Sequence, residues 1–163
     1  MIKVGILTAS DKGSAGERTD ESGKTIEALV GLIDGKVEFY KVVPDERKVI
    51  SDALRLMCDE LDIDLALTTG GTGFSPRDIT PEATLDVIER TVPGIPEAMR
   101  SRSLEVTDRA MLSRAVAGIR RRTLIINLPG SPAAVRECLE TVLPVIPHAI
   151  QILKGQTGEC GRR

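Results

Sequence analysis

Residues 68–84 read TTGGTGFSPRDITPEAT, with Gly70, Gly71 and Gly73 inside four positions, an Arg77-Asp78 pair behind them and a proline-led run after that. Glycines at this density let backbone N–H groups approach an anion more closely than side-chain-bearing residues allow. Two familiar phosphate loops do not fit. No Lys-Ser or Lys-Thr follows the glycines, and Gly71-Thr72-Gly73 runs into Phe74-Ser75-Pro76 rather than reaching a third glycine. With no lysine in the loop, the charge of a bound phosphate must be met by a metal ion or by arginine, and Arg77-Asp78 offers both. A second carboxylate, Asp45, follows Val43-Pro44. Asp45 and Asp78 make a pair of hard oxygen ligands for magnesium, held through one or two carboxylates plus substrate phosphate oxygens, as in phosphoryl and nucleotidyl transfer.

Whether these residues meet depends on the elements between them. Residues 2–9 (IKVGILTA) form a nearly continuous β-rich run, the pattern of a strand covered on both faces. Ile26, Leu29, Val30 and Ile33 recur at helical spacing, predicting a helix over 22–33 that Gly35 ends. A strand follows at 37–43, then a helix carrying Val49, Ile50, Ala53, Leu54, Met57 and Leu61, then a strand at 64–69. Thr80 as cap and Pro81 in the first turn predict a helix over 81–90, and Pro93 and Pro96 open another. Residues 115–119 and 123–128 read as a hairpin around Arg120-Arg121-Arg122, followed by helices over 132–143 and around 149–153. Such alternation with short joins predicts a three-layer α/β/α sandwich with a mostly parallel sheet plus a small β-hairpin, built as a single domain over 1–163 with a polar tail from about 155. In that architecture ligands bind at the carboxyl edge of the sheet. Three polar segments, 8–11, 44–46 and 69–78, are expected to gather there, with 127–132 as a fourth wall.

Composition limits the partners. Aromatic residues are 2% of 163, too few for the stacking platforms that hold single-stranded nucleic acid. With 22 basic against 24 acidic residues the net charge is −2, which gives no field for a polyanion, and the arginine triplet is expected to be a solvated turn. No apolar run approaches the roughly 20 residues needed to span a bilayer, and the N-terminal apolar patch is too short for a signal peptide, so neither a membrane nor export is expected and a cytosolic location is. Cys58, Cys138 and Cys160 lack metal-ligand spacing and are expected to be two packed thiols and one tail thiol. His148 is expected to pack or lie on the surface, and Met57, Met99 and Met111 to fill core or interface.

The loop at 68–84 closely resembles the signature loop of the molybdopterin adenylyltransferase family. Further similarity lies in Ile6-Leu7-Thr8-Ala9-Ser10-Asp11 with Ser14-Ala15-Gly16, in Asp20 and Ser22-Gly23 at the start of the first helix, in Val43-Pro44-Asp45-Glu46, in Leu112-Ser113-Arg114-Ala115 and in Asn127-Leu128-Pro129-Gly130-Ser131-Pro132, so that it spans roughly residues 4–155. The resemblance implies transfer of AMP from ATP to the terminal phosphate of molybdopterin with release of pyrophosphate, supported by Mg2+. It implies that Asp45 and Asp78 hold metal and serve the transfer, and that Gly70, Gly71, Thr72 and Gly73 bind phosphate and nucleotide. Ser113, Arg114, Pro129, Gly130 and Ser131 would hold the pterin side, with Ser10 and Asp11 near the nucleotide. It further implies a homotrimer, or a hexamer in one branch, with the apolar stretch 92–99 as interface or core, and hand-off to a molybdate-inserting protein. Two other readings stay open: a carrier module that binds pterin without transfer, against which both aspartates argue, and a molybdate-inserting enzyme, which normally has a longer chain.

Overall fold

The computed structural model describes residues 1–156. Its strands are β1 (Ile2–Ala9), β2 (Gly35–Val43), β3 (Leu65–Thr69), β4 (Arg90–Thr91), β5 (Ala117–Arg120) and β6 (Thr123–Leu128). They form one sheet in the order β2-β1-β3-β6-β5-β4. The first four in that order are parallel, and β5 and β4 add an antiparallel edge. Every residue of β3 and β6 is buried, whereas the edge strand β2 alternates along most of its length, as expected where only one face is covered.

Period-two alternation sends neighbouring side chains to opposite layers. Ile6, Leu67 and Ile126 meet Ile26 and Leu29 of α2 (Glu21–Val30) and Leu139 of α6 (Pro132–Val142) on one face. Leu7, Ala66 and Ile125 meet Ile50, Leu54 and Met57 of α3 (Arg47–Asp59) on the other. The three-layer sandwich with a hairpin is therefore the observed architecture. Met99, on α5 (Gly94–Leu104), is core, while Val92 and Ile95 pack partly buried against it.

Several boundaries move for local reasons. Asp20 caps α2 by accepting the Gly23 N–H at 2.9 Å. The turn after α2 places Asp34, not Gly35, in the left-handed region at φ 56°, and Gly35 opens β2. Leu61 falls beyond α3 and is 39% exposed. The helix expected over 81–90 is only α4 (Thr80–Leu85), with Ile79 rather than Thr80 in the cap position. The following chain, rich in β-branched side chains, instead makes β4 and pairs Arg90 with Ile119. β5 begins at Ala117 because the Val116 N–H is taken by the Asn127 side chain. The last helix, α7 (Ile146–Leu153), starts earlier than expected. The arginine turn is anchored rather than simply solvated, since Arg120 grips Asp59 through Nε at 2.9 Å and Nη2 at 2.7 Å. Among the described residues no helix is long and apolar enough to cross a membrane.

Candidate active site

The chain leaves β1 toward β2 on one side, and β3 lies on the other, so a crevice opens where their carboxyl ends diverge. A cavity of about 640 Å³ occupies it, with Ser10, Asp45, Gly70, Gly71, Asp78 and Gly130 in its lining.

Backbone geometry explains the glycines. Gly70 and Gly71 have φ of +88° and +66°, a region costly for residues bearing a Cβ. A Cβ at Gly70 would lie 2.3 Å from the Ala9 carbonyl oxygen, and one at Gly71 would lie 2.4 Å from Thr80 Oγ1 and 3.1 Å from Asp45 Oδ1. The loop is thus threaded between β1, α4 and the Asp45 loop with no room for side chains.

Hydrogen bonds tie the polar loops together. The Asp11 N–H donates to Asp45 Oδ2 and the Asp45 N–H to Asp11 Oδ1, both at 3.0 Å. Arg77 then grips Asp11 through Nε and Nη2, each at 2.9 Å. This bidentate pair holds the Asp11 carboxyl below its ordinary range. Burial pushes the Asp45 carboxyl up, aided by the charges of Asp11 and Asp78 and opposed by the Asp11 N–H and Arg77. Asp78 is oriented by the Ser75 N–H on its Oδ2 at 3.0 Å, and Ser10 caps a one-turn helix, α1 (Asp11–Ser14), by accepting the Gly13 N–H at 2.9 Å. The far end of the glycine loop hangs on Arg114. Its Nε donates to Gly73 O at 2.8 Å, its Nη2 to Asp78 O at 2.9 Å, and its Nη1 pairs with Glu82.

A second cavity, of about 530 Å³, lies on the other side of the loop. Thr72, Gly73, Ser113, Pro129 and Ser131 edge it, and Pro96, Met99 and Leu112 give it apolar walls. The glycine loop is the partition, with Gly70 and Gly71 facing one space and Thr72 and Gly73 the other, while Ser131 borders both.

Residues 5–148 match the family model described as a probable molybdopterin binding domain. The chain belongs to this family. Within it, the chain is 48% identical over 156 residues to a molybdopterin adenylyltransferase of Helicobacter pylori, covering 94% of this chain and 89% of that protein. A molybdopterin adenylyltransferase of Escherichia coli is 38% identical, with 94% and 86% covered. A crystal structure of the molybdopterin biosynthesis enzyme MoaB from Thermus thermophilus superposes with a TM-score of 0.91 at 51% identity, covering 98% of this chain and 100% of that one.

For a molybdopterin-binding domain the division of residues is informative. Asp11 and Arg114 border neither cavity; they brace Asp45 and the glycine loop. Arg77, offered by the sequence as a phosphate partner, is committed to Asp11 instead. Arg18, which sequence reasoning passed over, lines the first cavity, and so does Asp20, which the resemblance placed only at the start of the first helix. Both sit in the segment from Gly16 to the α2 cap, and following the first polar loop to that cap would have reached Arg18. Asp20 Oδ2 accepts the hydroxyls of Thr8 and Tyr40, each at 2.6 Å. Phe74 and Glu137, at the second cavity, were also missed.

Cys58 and Cys138 are buried free thiols; burial pushes Cys58 up to about 11 and raises Cys138 too, so neither is a ready nucleophile. Cys160 lies outside the described residues. His148 is on the exposed side of α7, and Met111, expected as filler, is 67% exposed.

Proposed function

We propose that this protein is a molybdopterin adenylyltransferase using ATP and Mg2+. A terminal phosphate oxygen of molybdopterin attacks the α-phosphorus of ATP, the new P–O bond forms, and the bond to the bridging oxygen breaks to release pyrophosphate. The observation that carries this reading is the pair of cavities divided by one glycine loop, one lined by acidic side chains and the other largely apolar, joined at Ser131. Two substrates entering from either side would meet at that loop. The attacking phosphate is already an anion, so no general base is needed, and the chain's work is alignment and charge compensation. The glycine loop, held by Arg114 and Thr80, presents fixed backbone to the phosphates, and Arg18 offers a guanidinium at the first cavity. Thr72, Gly73, Ser113, Pro129 and Ser131 give the pterin its space.

The residues fit magnesium. Asp45 and Asp78 are hard oxygen donors lining one cavity; burial is the main cause of the raised Asp45 carboxyl, and the charges of Asp11 and Asp78 add a smaller part that a cation would offset. Among the described residues no cluster of three or more His, Cys, Asp or Glu side chains could hold a metal, so the proposed ion would need water and substrate phosphate oxygens besides the two carboxylates. When bound, magnesium would neutralise charge on the transferring phosphates.

A cytosolic homotrimer that hands its product to a molybdate-inserting protein completes the proposal, with a hexamer as the alternative assembly. The exposed apolar side chains of Val106, Met111 and Leu112 support burial against another copy, which light scattering would test. The test of function is anaerobic incubation of the protein with Mg2+, α-labelled ATP and molybdopterin. A labelled pterin adduct with matching pyrophosphate is expected. Pterin binding without an adduct would leave a carrier, and no binding would overturn the reading.

A further inference from the structure

The second cavity contains one polar constellation that adenylyl transfer does not use. Glu137 on α6 borders the cavity, and its Oε1 accepts the Ser103 hydroxyl from α5. Ser103 in turn touches the buried Cys138 at 3.5 Å, so the hydroxyl is held in place and with it the carboxylate. Among the described residues Glu137 enters no ion pair. Of the two arginines at the cavity, Arg109 forms no ion pair among the described residues, and Arg100 donates to the Ala115 carbonyl at 3.0 Å and the Ser113 carbonyl at 3.5 Å instead. A carboxylate fixed at the edge of an apolar cavity, with lone pairs to spare, calls for donors on its occupant.

We propose that Glu137 is a specificity-determining residue that reads the 2-amino-4-oxopyrimidine edge of the pterin. This rests on the assignment of the second cavity to the pterin. That edge carries an N3–H and an amino N–H side by side, spaced to match the two oxygens of one carboxylate. Adenine would instead set an N–H donor beside a ring-nitrogen acceptor, whose lone pair would oppose a carboxylate oxygen. Glu137 therefore sorts the two substrates, keeping the adenine of ATP out of the apolar cavity.

The test compares two probes by fluorescence titration, 6-hydroxymethylpterin phosphate and 6-hydroxymethyllumazine phosphate, the second having an oxo group in place of the amino group. The intact protein is expected to favour the pterin by about tenfold or more, the scale of one charge-assisted hydrogen bond. Glu137→Gln, whose amide can serve either probe, should bring the ratio to within about threefold of unity. Ser103→Ala keeps the carboxylate but frees it, and should narrow the ratio part of the way. Ala134→Trp, which fills the cavity, should weaken both probes. If the tryptophan blocks binding while Glu137→Gln and Ser103→Ala keep the full ratio, the cavity assignment survives and the role of Glu137 is overturned. If the tryptophan changes nothing, the pterin binds elsewhere, and both the assignment and this proposal fall.

Discussion

Alanine placed along the glycine loop separates backbone strain from chemistry. At Gly71 the substitution must keep a φ of +66°, which costs about 1–2 kcal/mol for a residue with a Cβ. The new methyl would also sit 2.4 Å from Thr80 Oγ1, an atom on a fully buried side chain in the first turn of α4, and overpacking of that kind costs about 1–3 kcal/mol. The sum is about 2–5 kcal/mol, or roughly 4–20 °C in melting temperature for a chain this long. Gly73 is different. Its φ is not in the left-handed region, and its Cβ would meet only Asp78 Oδ2, at 2.9 Å. That side chain can rotate aside, so Gly73→Ala should lose less than about 1 kcal/mol. The movement displaces a carboxylate assigned to the metal and transfer, so turnover should fall at least about tenfold even though the fold is nearly intact.

Thermal melts by circular dichroism and the labelled-ATP assay on both variants give two independent readouts. Gly71→Ala should be damaged in both, and Gly73→Ala in turnover alone. A Gly71→Ala protein melting within about 2 °C of the parent would show that the loop reaches a negative φ at little cost, and the threading argument would be wrong. A fully active Gly73→Ala protein would remove Asp78 from the chemistry.

Asp78→Asn keeps an oxygen that can accept the Ser75 N–H, so stability should change by less than about 1 kcal/mol while turnover falls by about 100-fold or more, measured with the same two assays. Arg18→Ala should raise the nucleotide dissociation constant about 10–100-fold in calorimetry without shifting the melt. Arg120→Ala should cost about 1–2 kcal/mol near neutral pH in urea unfolding, because the pair with Asp59 is three-quarters shielded from solvent. The hydrogen bond from Arg120 holds the Asp59 carboxyl below its usual range, so this contribution is present above about pH 4 and disappears as pH falls through the lowered value; an equal cost at pH 2 would refute it. Asp45→Asn should bind magnesium-loaded nucleotide more weakly than the parent and metal-free nucleotide more tightly; parallel losses would deny Asp45 its role as metal ligand.

The sheet and its layers were legible because β1, β3 and β6 read as short runs rich in apolar and β-branched residues, and α2, α3 and α6 carry apolar stripes at helical spacing. Periodicity could not see β4, whose two residues exist only because β5 lies beside them. Nor could it see the end of α4, since Val87 and Ile88 fit a helical stripe as well as the turn they occupy. The carboxylate pair was legible from loop position and the parallel topology. What escaped was the allocation of cations. Arg77 beside Asp78 looks like a phosphate partner in sequence, and only the fold brings Asp11, 66 positions away, against it.

That allocation decides what the first cavity can bind. Three arginines lie near the glycine loop, but Arg77 answers Asp11 and Arg114 answers Glu82, leaving Arg18 alone toward the space that Asp20, Asp45 and Asp78 line. A triphosphate entering that space would face more fixed negative charge than positive, which opposes binding at close range whatever the chain's net charge. The backbone donors of the glycine loop soften this and cannot reverse it, because they carry partial charges only. On the proposed function, nucleotide is therefore expected to bind here more tightly with a cation beside it than without one. On that proposal the two carboxylates that disfavour a bare nucleotide are the donors that would capture its magnesium, so the same electrostatics would favour the metal complex over the free anion.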